Sequence, residues 1–278
     1  MKRKIEERLL MWKDKTSNRL PLIVNGARQV GKTYILRKFG VEQFKNVVYI
    51  NLETNLAVAS YFSDNITPER LLRYLEASTG ERIIPGETLI ILDEIQSCER
   101  ALTSLKYFCE ETPEYHIVAA GSLLGVAINR QRYSFPVGKV ETITLYPLDF
   151  EEFLWARGRE ALCEEIRRAY ETMEPLPDAL HQEAIELYRE YLLIGGMPAC
   201  INAFLCGGSF LDVPLVQSEI WDHCIADMAK YTRNTDCVKI RACLQFHPGS
   251  ACEGQKSSST RLSRREEARP CSALRLSG

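Results

Sequence analysis

Residues 26–33 (GARQVGKT) constrain this chain more than any other feature, because they follow the pattern G-x-x-x-x-G-K-[ST]. The pattern lies between an apolar run at residues 21–24, which predicts a buried strand, and a helix-forming stretch at residues 32–39. Glycines let the backbone curl so that successive N–H groups face a phosphate chain, and the helix N-terminus adds its positive dipole end. The sequence therefore predicts a strand, a phosphate-binding loop and a helix in succession.

This loop, the Walker A motif, assigns roles to its residues. We expect Lys32 to reach the β- and γ-phosphates of a nucleotide as a catalytic residue, and the Thr33 hydroxyl to hold Mg²⁺. We expect Arg28 to face solvent or the rim of the phosphates. The residues expected to bind the nucleotide are Gly26, Ala27, Arg28, Gln29, Val30, Gly31, Lys32 and Thr33.

A second motif follows about sixty residues later, where the apolar residues 89–92 (LIIL) end in Asp93 and Glu94. This is the Walker B pattern. It predicts that Asp93 holds Mg²⁺, through water, and that Glu94 polarises the water that attacks the γ-phosphate. Any buried strand can end in an acidic turn, but at this distance after a phosphate loop the pair indicates a metal site. A glutamate beside the metal-binding aspartate favours hydrolysis over transfer to an acceptor.

Further side chains are candidates for completing the site. Ser122 follows the predicted strand at residues 117–120 and offers a catalytic hydroxyl near the γ-phosphate, although Gly-Ser also serves ordinary turns. Gln96 is a candidate for contact with the attacking water, or for a capping or surface role. Arg130 and Arg132 either complete the site of a neighbouring subunit in a ring or are solvated surface arginines. No Asn-Lys-x-Asp motif that reads guanine occurs, so we expect ATP as the nucleotide.

Composition bounds the remaining possibilities. The 278 residues are 45% hydrophobic and 26% charged, as in a soluble globular protein, and the formal net charge of −2 gives no global attraction to nucleic acid or anionic membrane. No run of eighteen apolar residues occurs, so we expect no membrane span. The ten cysteines lack any C-x-x-C spacing, which favours reduced thiols in a cytoplasmic protein.

Apolar strands alternate with helical stretches up to about residue 148, which predicts an α/β fold with a parallel sheet covered by helices on both faces. Beyond that point the spacing of apolar residues is helical, and a Gly-Gly-Met-Pro break interrupts it at residues 195–198. Residues 244–278 contain no Ile, Val, Tyr, Trp or Met, so we expect them to be disordered.

Five segments together resemble a known family: GARQVGKT, LIILDEIQ, AAGSLLG, SFPVGKVETITLYPLDFEEFL and YLLIGGMPA. They are similar to the bacterial and archaeal AAA-type P-loop ATPases that carry a C-terminal domain of unknown function, over roughly residues 1–243. The resemblance implies the strand order 5-1-4-3-2. It also implies ATP contacts at Gly31, Lys32 and Thr33, metal at Asp93 and water activation at Glu94.

The resemblance also implies a longer chain, with a further domain similar to restriction-endonuclease-like folds. The family pattern stops after residue 243, so we expect a frameshifted or truncated gene. The predicted organisation is an N-terminal helix in residues 1–17, an AAA-type P-loop ATPase domain in 18–148, a helical region with the start of a truncated domain in 149–243, and a disordered or out-of-frame tail in 244–278.

The motifs support more than one function. The leading hypothesis is a Mg²⁺-dependent ATPase whose cycle moves the helical C-terminal region. The alternative is an ATP-gated binding module with negligible turnover that recruits a protein or nucleic acid. A small-molecule kinase is a third hypothesis. A homo-oligomer and a protein or nucleic-acid partner, bound through the C-terminal region, are both compatible with these motifs.

Overall fold

The structure, a computed structural model, describes residues 1–122, 136–207 and 209–231, with backbone only for residues 228–231. The chain divides into two compact units, Met1–Gln217 and Ser218–Gly278. Of the second unit, the described part is the end of one helix. The sequence-based expectations for Arg130, Arg132 and the tail at residues 244–278 lie outside the described residues.

One parallel sheet forms the centre of the first unit. Its strands are β1 (Leu22–Asn25), β2 (Asn46–Asn51), β3 (Thr88–Asp93), β4 (His116–Gly121) and β5 (Glu141–Thr144). Their spatial order is β2-β3-β4-β1-β5, which is the implied order 5-1-4-3-2 read from the other edge. In register, Asn25 lies opposite both Gly121 and Thr144, and Asn51 lies opposite Asp93. The predicted fold class, a P-loop α/β sheet followed by a mainly helical region, is confirmed.

Helices connect these strands and cover the sheet. They are α1 (Ile5–Lys13), α2 (Lys32–Gln43), α3 (Leu56–Ser60), α4 (Pro68–Thr79) and α5 (Glu99–Glu111). A 3₁₀ turn at Ile95–Ser97 precedes α5. Helix α4 shows why the boundaries fall where they do: Pro68 occupies its first turn, where no N–H is needed, and Gly80 ends it in the left-handed conformation.

The core has one layer on each face of the sheet. Successive strand residues point to opposite faces, so Ile23 joins a cluster with α4 and α5, whereas Val24 joins a cluster with α1 and α2. In β3 the same alternation places Ile90 in the first cluster and Ile91 in the second, on opposite faces of the sheet. Because both faces are covered, strands such as β3 are buried at every position, which explains their continuous apolar runs.

A helical region follows the sheet. Its helices are α6 (Phe150–Ala156), α7 (Glu160–Thr172), α8 (Asp178–Ile194), α9 (Pro198–Gly207) and α10 (Val213–Tyr231). The Asp149 carboxylate begins α6 by accepting a hydrogen bond from the Glu152 N–H at 2.9 Å. The Gly-Gly break separates α8 from α9 as predicted, and at Gly196 an added Cβ would lie 2.2 Å from the Leu148 carbonyl oxygen. Only glycine therefore lets this turn pack against the exit from the sheet.

Within the described ranges, no single helix is long and apolar enough to cross a membrane. Helices α8 and α9 meet that criterion only when they are taken together, and their axes bend by 116° at the break between them.

Candidate functional site

The loop between β1 and α2 adopts a backbone that requires its two motif glycines. Gly26 has φ 156°, and an added Cβ would lie 2.4 Å from the Leu145 carbonyl oxygen. Gly31 has φ 93°, a backbone conformation that residues with a Cβ rarely adopt. Gln29 also has a positive φ, of 64°. The loop thus wraps tightly against the end of β5 before it turns into α2.

Lys32 lies inside the curl of this loop with 7% of its surface exposed. Its Nζ donates hydrogen bonds to the carbonyl oxygens of Gly26, at 2.9 Å, and Ala27, at 2.8 Å. Burial lowers the pKa of Lys32, the charges of Glu94 and Asp93 act against that shift, and Arg28 adds to it. The loop therefore holds a desolvated cation where the sequence predicts phosphate contacts.

Thr33 and Asp93 meet at the predicted metal position. The Thr33 hydroxyl donates to Oδ2 of Asp93 at 2.7 Å, and the Glu94 N–H donates to Oδ1 at 3.0 Å. Asp93 is only 3% exposed. A buried carboxylate beside a hydroxyl is an oxygen donor set of the kind that Mg²⁺ prefers, so these two residues fit that ion.

Glu94 follows Asp93 in the left-handed conformation, with φ 51°. This turn separates the two carboxylates: Asp93 is buried, and Glu94 is half-buried. The Glu94 carboxylate accepts a hydrogen bond from the Gln96 amide, which lies in the following 3₁₀ turn. The structure thus brings Gln96 to the predicted water-activating group, and its expected contact with the attacking water stays a prediction.

Ser122 lies at the same edge of the sheet as these groups. It directly follows β4, which runs between β1 and β3, and it is 2% exposed. Carboxyl ends of parallel strands meet at one edge, so Ser122, the loop and Asp93 share it. Arg28 is half-buried. The catalytic roles assigned to Lys32, Glu94 and Ser122 stay predictions.

A cavity of about 360 Å³ opens beside the start of α2. Its lining residues are Met1, Arg3, Val30, Gly31, Tyr34, Ile35, Leu148, Pro198 and Asn202. The volume falls at the small end of the range for small-molecule pockets. The sequence does not predict these lining residues, because the N-terminal residues and α9 are about two hundred residues apart and carry no shared motif.

Arg3 joins three parts of the first unit and was also missed. Its Nη1 donates to the Val30 carbonyl oxygen in the phosphate loop at 3.2 Å, and its Nη2 donates to the Tyr146 carbonyl oxygen at 2.6 Å. Its Nε lies 3.1 Å from Oε2 of Glu152 in α6, and both side chains are buried. The basic N-terminus by itself was no signal of such a role.

A parallel sheet in this order, with the lysine-containing loop after β1 and an acidic pair at the end of β3, defines a P-loop NTPase domain. Residues 18–154 match the family model of the AAA domain, which supports an AAA-type P-loop domain in this part of the chain. No curated protein matches the chain.

Several solved structures are similar to this chain at low identity. AMPPCP-bound DnaA from Aquifex aeolicus is 12% identical with a TM-score of 0.37, and the match covers 72% of this chain and 57% of DnaA. Drosophila ORC bound to DNA is 14% identical with a TM-score of 0.41, over 81% of this chain and 64% of that one. A point variant of Thermotoga maritima RuvB is 13% identical with a TM-score of 0.35, over 70% and 69%. The chain thus spans less than two thirds of the length of the DnaA and ORC chains.

Proposed function

We propose that this chain binds ATP with Mg²⁺, hydrolyses it, and uses the cycle to move its helical region. The observation that carries this proposal is the contact between Thr33 and Asp93 at 2.7 Å, directly beside Lys32 in the loop and Glu94 at the strand end. These are the groups needed to hold a triphosphate, a divalent cation and a water molecule.

The chemistry assigns each group one task. Lys32 exchanges the carbonyl oxygens of its own loop for phosphate oxygens, which removes the cost of a buried cation without an anionic partner. Bound Mg²⁺ supplies neutralisation of charge on the β- and γ-phosphates. Glu94 takes a proton from the water whose oxygen attacks the γ-phosphorus, while the bond to the bridging oxygen breaks and ADP leaves. Gln96 orients the Glu94 carboxylate for that step.

The cavity beside α2 supports a nucleotide as the ligand of the loop, because it continues from Gly31, where the phosphate loop ends. Apolar side chains such as Ile35 and Pro198 suit the faces of a base, and Asn202 offers both a donor and an acceptor to its edge. We place the nucleobase and its ribose there.

Contacts between the sheet exit and the helical region support the proposed motion. The Leu148 N–H donates to the Gly196 carbonyl oxygen at 2.7 Å, and the Tyr191 hydroxyl donates to the Leu148 carbonyl oxygen at 2.9 Å. Leu148 and Pro198 both line the cavity beside α2. A nucleotide in the cavity touches α9 and the loop at once, so its loss changes the position of α9.

An ATP-gated binding module with negligible turnover is the second candidate. It is favoured by the contacts of two site residues, since Lys32 is bonded to its own loop and Glu94 to Gln96. In this role the ATP-bound helical region recruits a protein or nucleic acid. Helix α8 exposes Leu192 and Leu193, which is the kind of apolar surface that a protein partner covers.

Phosphate release from ATP separates the two candidates. We expect measurable turnover by the wild-type chain and a loss of about 10²–10⁴-fold in Glu94→Gln, because the variant keeps the shape of the side chain but removes the base. Glu111→Gln, an exposed glutamate at the end of α5, is the matched control and should leave turnover unchanged. ATP binding with no wild-type turnover would favour the gated module, and no ATP binding would contradict both.

A further inference from the structure

Asp93 receives a hydrogen bond from a residue outside both nucleotide motifs. The Tyr49 hydroxyl donates to Oδ2 of Asp93 at 2.9 Å, so this oxygen accepts from Tyr49 and Thr33 together. Tyr49 lies on β2, the strand next to β3, and the two strands are locked in register where the Leu52 N–H donates to the Asp93 carbonyl oxygen at 3.0 Å. The sheet itself therefore sets the distance between Tyr49 and Asp93.

The Tyr49 hydroxyl is the donor in this contact, because an ionised carboxylate oxygen only accepts. Two residues further along β2, the N–H groups of Glu53 and Thr54 donate to Oδ1 of Asn51 at 2.9 and 3.0 Å, which fixes the end of the strand opposite Asp93.

The ring of Tyr49 is also held in place. The Arg37 guanidinium carbon lies 5.0 Å from the ring centroid, over its face. Tyr49 is thus a fixed donor aimed at the carboxylate that the sequence assigns to the metal.

We propose that Tyr49 is a positioning residue for the divalent cation, and that it sets the orientation of the Asp93 carboxylate for Mg²⁺. This rests on the proposed ATPase function. Of the two donors to Oδ2, Thr33 is itself an expected metal ligand, so its hydroxyl changes its contacts when the ion binds. Tyr49 is the donor to that oxygen whose contact does not depend on the metal.

The test measures cation affinity directly, with Mn²⁺ as a probe visible by electron paramagnetic resonance. Mn²⁺ is titrated into the full chain saturated with AMPPCP, for the wild type and for Tyr49→Phe. We expect the Kd for Mn²⁺ to rise about 10-fold in the variant, as for other groups that orient metal ligands. AMPPCP affinity in EDTA should stay the same, because no phosphate contact is changed.

Tyr74→Phe is the matched control, since it removes one hydroxyl from a half-buried tyrosine of α4 whose ring contacts Tyr61. It should leave Mn²⁺ affinity unchanged. Equal Mn²⁺ affinity in Tyr49→Phe and wild type would overturn the proposal. An equal loss of AMPPCP affinity with and without the cation would overturn it too, because such a loss indicates general damage to the fold. If the wild type binds no AMPPCP at all, the proposed ATPase function fails first and this inference fails with it.

Discussion

Lys32 and Asp93 are buried charges of opposite sign, and burial of a charge is costly unless it is compensated. Lys32 donates to two loop carbonyl oxygens, and Asp93 accepts from a hydroxyl, a phenol and an N–H group. These contacts compensate part of the cost of burying both charges. They also explain why binding is favourable there. A phosphate would replace the neutral partners of Lys32 by a charged one, and a cation would do the same for Asp93.

His116 gives the stability of the fold a dependence on pH. It is buried at the start of β4, and its ring centroid lies 5.7 Å from that of Trp12 and 4.9 Å from that of Phe44. Burial, with the charges of Arg19 and Lys13, lowers the pKa of His116 to about 4. The unfolded chain takes up this proton near pH 6.5, so between those two values the unfolded state binds more protons.

The free energy of unfolding should therefore fall as the pH is lowered from 6.5 to 4, by up to about 3 kcal/mol from this residue. Urea unfolding across that range measures it. In His116→Phe the aromatic contacts remain but the titrating group is gone, so the wild type should lose stability relative to the variant as the pH falls. Parallel curves for the two proteins would contradict the assignment.

The sequence predicted those site residues whose spacing along the chain is itself a motif. Lys32, Thr33, Asp93 and Glu94 fall into that class, and the structure brings them together. Tyr49 does not, because its only signal is a polar atom within the short run of residues 47–50, and that atom acquires a partner only when β2 pairs with β3.

Among the helices and strands, the strand at residues 89–92 was predicted to within a residue at each end, as β3 shows, whereas the helix after the phosphate loop, expected over residues 32–39, extends to Gln43. Helix α5 repeats its apolar positions over three turns, which is the pattern that predicts a helix. Helix α3 was not predicted, since five residues are too few to show a period. The break after α8 was predicted from its glycines, but the reason for Gly196, the closeness of the Leu148 carbonyl oxygen, needs the tertiary structure.

The N-terminal segment before α1 should stabilise the fold through one buried ion pair. Arg3→Met removes the partner of Glu152 and the donors to the Val30 and Tyr146 carbonyl oxygens. We expect the free energy of unfolding to fall by about 3 kcal/mol, because an unpaired carboxylate remains buried. Urea or thermal unfolding measures the change.

Lys4→Met is the control from the same segment. Lys4 pairs with Asp149 at 2.6 Å and Glu151 at 2.5 Å, but its side chain is 43% exposed, so its loss should cost less than about 1 kcal/mol. The double variant Arg3→Met/Glu152→Met should recover part of the lost stability, since an apolar pair of similar volume carries no desolvation cost. An Arg3→Met protein as stable as the wild type would show that the pair contributes nothing.

Across the chain as a whole, the sheet brings the motif residues to one edge, and the first residues and α9 close a cavity beside them. The sheet order came from the family resemblance and is confirmed. The cavity could not be predicted, because it depends on how the helical region packs against the P-loop domain. That packing links nucleotide binding to the helical region in the proposed function.

The central claim is that Lys32 and its loop bind ATP, and equilibrium titration of ATP into the purified chain with Mg²⁺ tests it most directly. We predict saturable binding by the wild type and an affinity about 100-fold lower in Lys32→Ala, because truncation of a buried charged partner costs about 2–5 kcal/mol. Lys45→Ala, which removes an exposed lysine paired with Glu87, should bind like the wild type. Equal ATP affinity in Lys32→Ala and wild type would contradict the account.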